Sequence, residues 1–235
     1  MEQVSAERRQ TPDGLELDLY TPPAAKGATP CVILIHGGPI PANLLTSPKN
    51  WELFRCYGRL LAASGLSAIM FDHQFYGPEQ ARLALSDIQR VVGYVHEHGQ
   101  EFNIDVERLC LWAFSGGGIL LSPFLRQTSA TIRCLVAYYA ALDASVAEFS
   151  PLAQISASAE TLPAILVARA GLDTPAYNEA ADRFIQQALK QNAQLDVLNH
   201  ANGQHGFDVR DDNERTRDIL ERTVDFIRIN LAGRT

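Results

Sequence analysis

The sequence is poor in anything that would fasten a chain by covalent bonds or metal. Only four of its 235 residues are cysteine, with no close pair and no alternation with histidine at ligand spacing. That argues against a disulfide framework and against a structural zinc site. Cys31, Cys110 and Cys134 sit inside apolar runs and Cys56 in a helical segment, so they read as small buried hydrophobes. Basic charge is also scarce: 20 Lys and Arg against 27 Asp and Glu leave a formal net charge of -7. Nucleic acid and anionic membranes reward clustered cations, so neither is expected as a partner. No stretch approaches the roughly 20 apolar residues that span a bilayer, and the polar N-terminal MEQVSAERRQ lacks the apolar core of a signal peptide. A cytoplasmic location is the expectation. There is no internal repeat, charge block or composition shift, so residues 1–235 are expected to form one domain. At this length, roughly 70% of the unfolded surface is buried on folding.

What is present is an alternation of apolar runs of strand length with longer segments of helical period. LELDLY at 15–20 alternates apolar and polar residues as a half-solvated edge strand does, after the turn signal Pro12-Asp13-Gly14. The runs at 31–35, 67–71, 109–114, 134–139 and 164–168 are almost continuously apolar, the pattern of strands covered on both faces, and LDVLN ends the series. Helices are predicted over 50–64, 78–99, 116–127, 176–192 and 212–230. In the second, Leu85, Ile88, Val92 and Val95 form an apolar stripe, with Asp87 among the intervening polar residues. The order implies an α/β domain with a doubly wound, mostly parallel sheet flanked by helices.

Reactive groups in such sheets collect beyond the carboxyl ends of the strands. There, CVILI is followed by His36-Gly37-Gly38-Pro39, LCLWAF by Ser115-Gly116-Gly117-Gly118, AILVARA by Gly171-Leu172-Asp173, and LDVLN by Gly203-Gln204-His205-Gly206-Phe207. Ser115 ends a buried strand and opens a helix, with glycines that suit a crowded turn; Ala113 stands where a G-x-S-x-G elbow has its first glycine. His205, in a glycine-flanked loop, is the candidate base, with His200 as a competitor at the strand end. Asp173 is the candidate acid and Asp143, one strand earlier, its rival. Gly38 and Gly116 are the candidate oxyanion donors, since Pro39 has no N–H. His36 is read as a brace for the glycine loop, Asp72 and His73 as loop residues, and His96 and His98 as solvated helix residues that share no face.

Together PDGLELDLYTPP, HGGP, FNIDVERLCLWAFSGGG, SPLAQI, AGLDTP and GQHGFD resemble the α/β-hydrolase superfamily over nearly the whole chain, most of all its small esterases and dienelactone-hydrolase-like members. The HGGP form is similar to the prolyl oligopeptidase family as well. The resemblance implies an α/β-hydrolase fold and a triad of Ser115, Asp173 and His205, with Gly38 and Gly116 at the oxyanion hole. It implies acyl transfer from a small soluble ester to water, with no cofactor and no metal. The short interval between the Asp143 region and the strand at 164 leaves little room for a cap, and residues 39–55, with Leu44, Leu45 and Trp51, are the expected variable wall. A peptidase or amidase would use the same groups, and a noncatalytic binding protein would keep the fold without the chemistry. A dinucleotide-binding reading of Ser115 to Gly118 fails on spacing, because the glycines are consecutive.

Overall fold

The computed structural model describes residues 4–41, 43–126, 131–157 and 162–232. Among the described residues eight strands make one sheet: β1 (Glu7–Gln10), β2 (Glu16–Tyr20), β3 (Thr29–Ile35), β4 (Ser67–Phe71), β5 (Ile104–Phe114), β6 (Ile132–Tyr138), β7 (Ala164–Ala170) and β8 (Leu195–His200). Their spatial order is β1-β2-β4-β3-β5-β6-β7-β8, antiparallel across the first two junctions and parallel thereafter. The helices are α1 (Glu52–Ala63), α2 (Ala81–His98), α3 (Pro151–Ala157), α4 (Pro175–Lys190), α5 (Phe207–Arg210) and α6 (Glu214–Leu231).

The parallel strands carry their side chains into two separate cores. Ile33, Ile35, Leu111, Ala113, Leu135 and Val167 face the layer that holds α2, α3 and α4, while Val32, Leu34, Trp112, Val136, Leu166 and Leu198 face α1 and α6. Successive residues of one strand thus enter opposite cores, which is why the sequence shows unbroken apolar runs rather than alternation.

Several boundaries differ from the sequence reading. Residues 16–20 do not form the edge: the polar strand β1, ERRQ, pairs outside them, so Leu17, Asp18, Leu19 and Tyr20 are buried, and Arg8 reaches Asp18 at 3.5 Å. A polar, exposed strand gives no apolar signal, and charged residues are what an edge should carry. β5 begins at Ile104 rather than 109, joined through an irregularity opposite Thr29 and Cys31. The predicted helix over 116–127 is a 3₁₀ helix, Ser115–Leu125, with Pro123 inside it, and residue 127 lies outside the described residues. Proline there removes an α-helical hydrogen bond. On α2 the buried stripe is Leu85, Ile88, Val91 and Val95, and Asp87 is buried as well, held by the Gln74 N–H at 2.9 Å and by Arg90 at 2.8 Å. Cys56 is exposed, unlike the other three free cysteines. α3, unforeseen, packs Ile155 into the layer beside α4 instead of forming a cap.

The chain runs from β3 outward to β4 and then returns to β5 on the other side of β3. The loops after β3 and β5 therefore diverge at a switch point, where the topology opens a crevice at the carboxyl edge.

Candidate active site

Ser115 stands at that edge. Phe114 is still extended, but Ser115 has φ 51°, a left-handed conformation that turns the chain sharply from strand into the 3₁₀ helix. A non-glycine residue here is strained and must be held by its surroundings. The Ser115 carbonyl accepts the Ala141 N–H at 2.8 Å. The glycines that follow permit backbone to meet backbone: a Cβ on Gly116 would overlap the Gly38 carbonyl, one on Gly117 the His36 carbonyl, and one on Gly118 would lie 2.6 Å from the Ala141 carbonyl oxygen. Gly37 lies over the serine, where an added Cβ would be 3.0 Å from Ser115 Cβ. This packing is the physical content of the Ser-Gly-Gly-Gly run.

Asp173 and His205 arrive on the loops after β7 and β8, which are laced together by Gly171 N–H to His200 O at 2.8 Å and Leu172 N–H to Gly203 O at 2.9 Å. His205 Nδ1 is 2.6 Å from Asp173 Oδ2, and His205 Nε2 is 2.7 Å from Ser115 Oγ. A carboxylate only accepts, so Nδ1 carries the proton and Nε2 is left to accept the serine hydroxyl. The Asp173 side chain is 2% exposed and its other oxygen accepts the Thr174 N–H at 2.7 Å, whereas the imidazole is 36% exposed.

The competitors have other partners. Asp143 accepts from the Ser150 hydroxyl at 2.7 Å and from Arg183 at 2.9 Å. His200 is buried in β8 with Nε2 3.2 Å from the Thr216 hydroxyl. Asp72 accepts the Lys49 N–H at 2.9 Å, ordering the loop before α1. On α2, His96 is exposed and lies toward Thr131, whereas His98 is half-buried beside Tyr94 and Phe102 and reaches Glu101. His36 and His73 are both buried and stack with ring centroids 3.6 Å apart; His73 reaches the His36 carbonyl at 3.0 Å, and His36 Nδ1–H donates to the Gly37 carbonyl at 2.7 Å. Burial lowers the His36 pKa to about 4 and holds His73 well below the usual range, with the neighbouring His36 adding to the effect. Two neutral rings therefore brace the glycine loop. Among the described residues of the 39–55 segment, Leu45 is fully exposed and Trp51 Nε1–H donates to the Thr46 carbonyl at 3.0 Å.

Three neighbours of His205 carried no local signal. Tyr139, which has φ 36°, and Tyr177 set their rings edge-on to the imidazole, with centroids 5.0 and 4.9 Å away. Asp208, one turn beyond His205, accepts hydrogen bonds from the Tyr57 hydroxyl at 2.6 Å and the Tyr139 hydroxyl at 2.8 Å.

A family model described as BD-FAE matches residues 17–158. No curated protein matches. Solved structures do. Propionate-bound esterase 2 of Thermogutta terrifontis is 17% identical, with 100% of this chain and 97% of that one covered at a TM-score of 0.81. The Francisella virulence factor BioJ is 17% identical over 97% of this chain and 85% of its own, TM-score 0.79. A mutant of the esterase rPPE is 18% identical over 99% and 84%, TM-score 0.80. The fold is that of the α/β-hydrolases, a mostly parallel eight-stranded sheet between two helical layers.

Proposed function

Since the chain belongs to the BD-FAE family, we propose that it is a serine hydrolase that cleaves carboxylic esters of small soluble substrates through an acyl-enzyme. One observation carries this reading: the unbroken succession Ser115 Oγ, His205 Nε2, His205 Nδ1, Asp173 Oδ2, built on a strained turn at the sheet edge. His205 takes the Ser115 proton as Oγ attacks the ester carbonyl, and Asp173 keeps the tautomer and stabilises the imidazolium. The oxyanion of the tetrahedral intermediate is received by the N–H groups of Gly38 and Gly116, whose backbones abut. His205 then gives its proton to the leaving alcohol and afterwards activates water, which releases the acid and restores Ser115.

The names of the similar structures support an ester as the substrate; esterase 2 of Thermogutta terrifontis is also described as phosphorylated by paraoxon. Residues 1–235 act as one catalytic domain in this reading, with no cofactor or metal in the chemistry. We place the protein in the cytoplasm, a compartment that suits four unpaired cysteines. The test is exposure of the purified protein to a fluorophosphonate probe, followed by mass spectrometry. Labelling at Ser115 that disappears in Ser115→Ala is the expected result. A native protein that neither labels nor turns over short-chain activated esters overturns the proposal.

A further inference from the structure

The segment that presents His205 has little structure of its own. Between β8 and α6 its regular part is α5, a single turn of four residues, preceded by Gly206 at φ 77°. One helical turn does not hold itself in water. Val209 and Arg210 are exposed, and Gln204 closes back on Asp211 through its N–H at 2.8 Å, a bond within the loop. Phe207 anchors the turn by burial against Tyr138, Tyr139 and His200, an apolar contact that by itself sets no direction. Directional bonds hold the loop on either side, from the Leu172 N–H to Gly203 O at 2.9 Å before His205 and from the Thr216 hydroxyl to Asp211 O at 2.6 Å after the turn; within the turn itself the directional anchor is the next residue. Asp208 is gripped by two phenols from separate parts of the fold, Tyr57 on α1 and Tyr139 just after β6. Burial holds both phenols well above their usual pKa, so they remain donors. It also pushes the Asp208 carboxyl up, against the two hydrogen bonds that favour its charged form. Tyr139 does double duty, because its ring stands against the imidazole whose loop its hydroxyl holds.

We infer that Asp208 is a positioning residue: through the Tyr57 and Tyr139 hydroxyls it sets the angle of the His205 turn, and so the reach of the imidazole to both Ser115 and Asp173. The inference rests on His205 being the base of the esterase reading. It deepens that reading by adding a second carboxylate, which touches neither substrate nor imidazole and acts through the backbone that carries it.

The experiment uses the full chain with Asp208→Asn, Tyr57→Phe and Tyr139→Phe, each nearly isosteric with the residue it replaces, and two readouts. The first is the low-field proton resonance of the His205 Nδ1–H, identified by its loss in Asp173→Asn. In all three variants this proton should exchange with water faster than in the wild type. The second is turnover of a short activated ester, where kcat should fall ~10-fold or more with KM changed by less than about two-fold, the signature of a misplaced base in a folded site. A purely structural anchor would lower the urea midpoint and leave both readouts unmoved in the folded protein, and that outcome overturns the inference. Should Asp208→Asn fail to fold, the two single-oxygen deletions carry the same readouts. If no protein, wild type included, turns over esters, the esterase reading fails, and the resonance alone still decides whether Asp208 positions His205.

Discussion

Gly38 and Gly116 meet backbone to backbone, so closely that a Cβ on Gly116 would overlap the Gly38 carbonyl oxygen. The contact joins the loop after β3 to the turn after β5 across the switch point, and it brings together the two N–H groups assigned to the oxyanion. Gly116→Ala must push these backbones apart. Ester turnover should fall about 10² to 10³-fold, the cost of losing one oxyanion donor, and overpacking should lower stability by ~1–3 kcal/mol. Steady-state kinetics and urea unfolding of the purified variant measure both.

His205 and His200 are five residues apart but have different partners, Ser115 and Asp173 for the one and Thr216 for the other. His205→Ala should cost at least about 10³-fold in kcat/KM. His200→Ala should leave turnover close to wild type and instead destabilise the fold by ~1–3 kcal/mol, because the side chain is buried and partnered by Thr216. Equal kinetic losses in the two variants would contradict the assignment.

The acid is tested by a matched pair. Asp173→Asn should lower kcat by about 10⁴-fold, since an amide no longer enforces the tautomer with the proton on Nδ1. Asp143→Asn should lose the bond from Arg183 to Oδ2, while the amide oxygen can still accept from the Ser150 hydroxyl, seen as a slightly lower urea midpoint with kcat nearly intact. A larger kinetic loss at Asp143 would refute the geometry.

The stacked pair His36 and His73 makes stability depend on pH. Both native pKa values are depressed by burial, His36 to about 4 against an ordinary 6.5. The unfolded chain therefore binds more protons in that interval, and unfolding becomes easier as pH falls. The His36 contribution is fully present above about 6.5 and is lost as pH falls from there through about 4. Urea midpoints at pH 7 and pH 4.5 for wild type and His36→Asn measure it: the wild type should lose more stability between the two than the variant does.

Asp87 is buried on α2, where it accepts the Gln74 N–H and bonds Arg90. Arg90 keeps a second partner in Asp13 at 2.6 Å, but the Gln74 N–H is left without its acceptor when the carboxylate is removed. Asp87→Ala should cost ~1–3 kcal/mol of stability, read from chemical denaturation, and should loosen the loop that carries His73.

The sequence by itself determined the layered architecture and the ends of the parallel strands. Buried strands must be apolar on both faces, so CVILI, LCLWAF and AILVA are legible as strands without knowledge of their neighbours. For the same reason the residues that follow them, Ser115, Asp173 and His205, could be named in chain order as one constellation.

Tertiary structure alone decided what depends on contacts between distant segments. β1 is invisible locally because its burden is polar, and the 3₁₀ helix at 115–125 is set by backbone contact with His36, Gly38 and Ala141 rather than by helical periodicity. Asp143 and Asp173 both follow apolar runs at strand ends; only the lacing of the loops after β7 and β8 puts one against His205 and leaves the other with Arg183. Asp208 shows the limit most clearly. Its partners lie 151 and 69 residues away in the chain, and a hydrogen bond between groups so far apart has no periodicity or local composition to announce it.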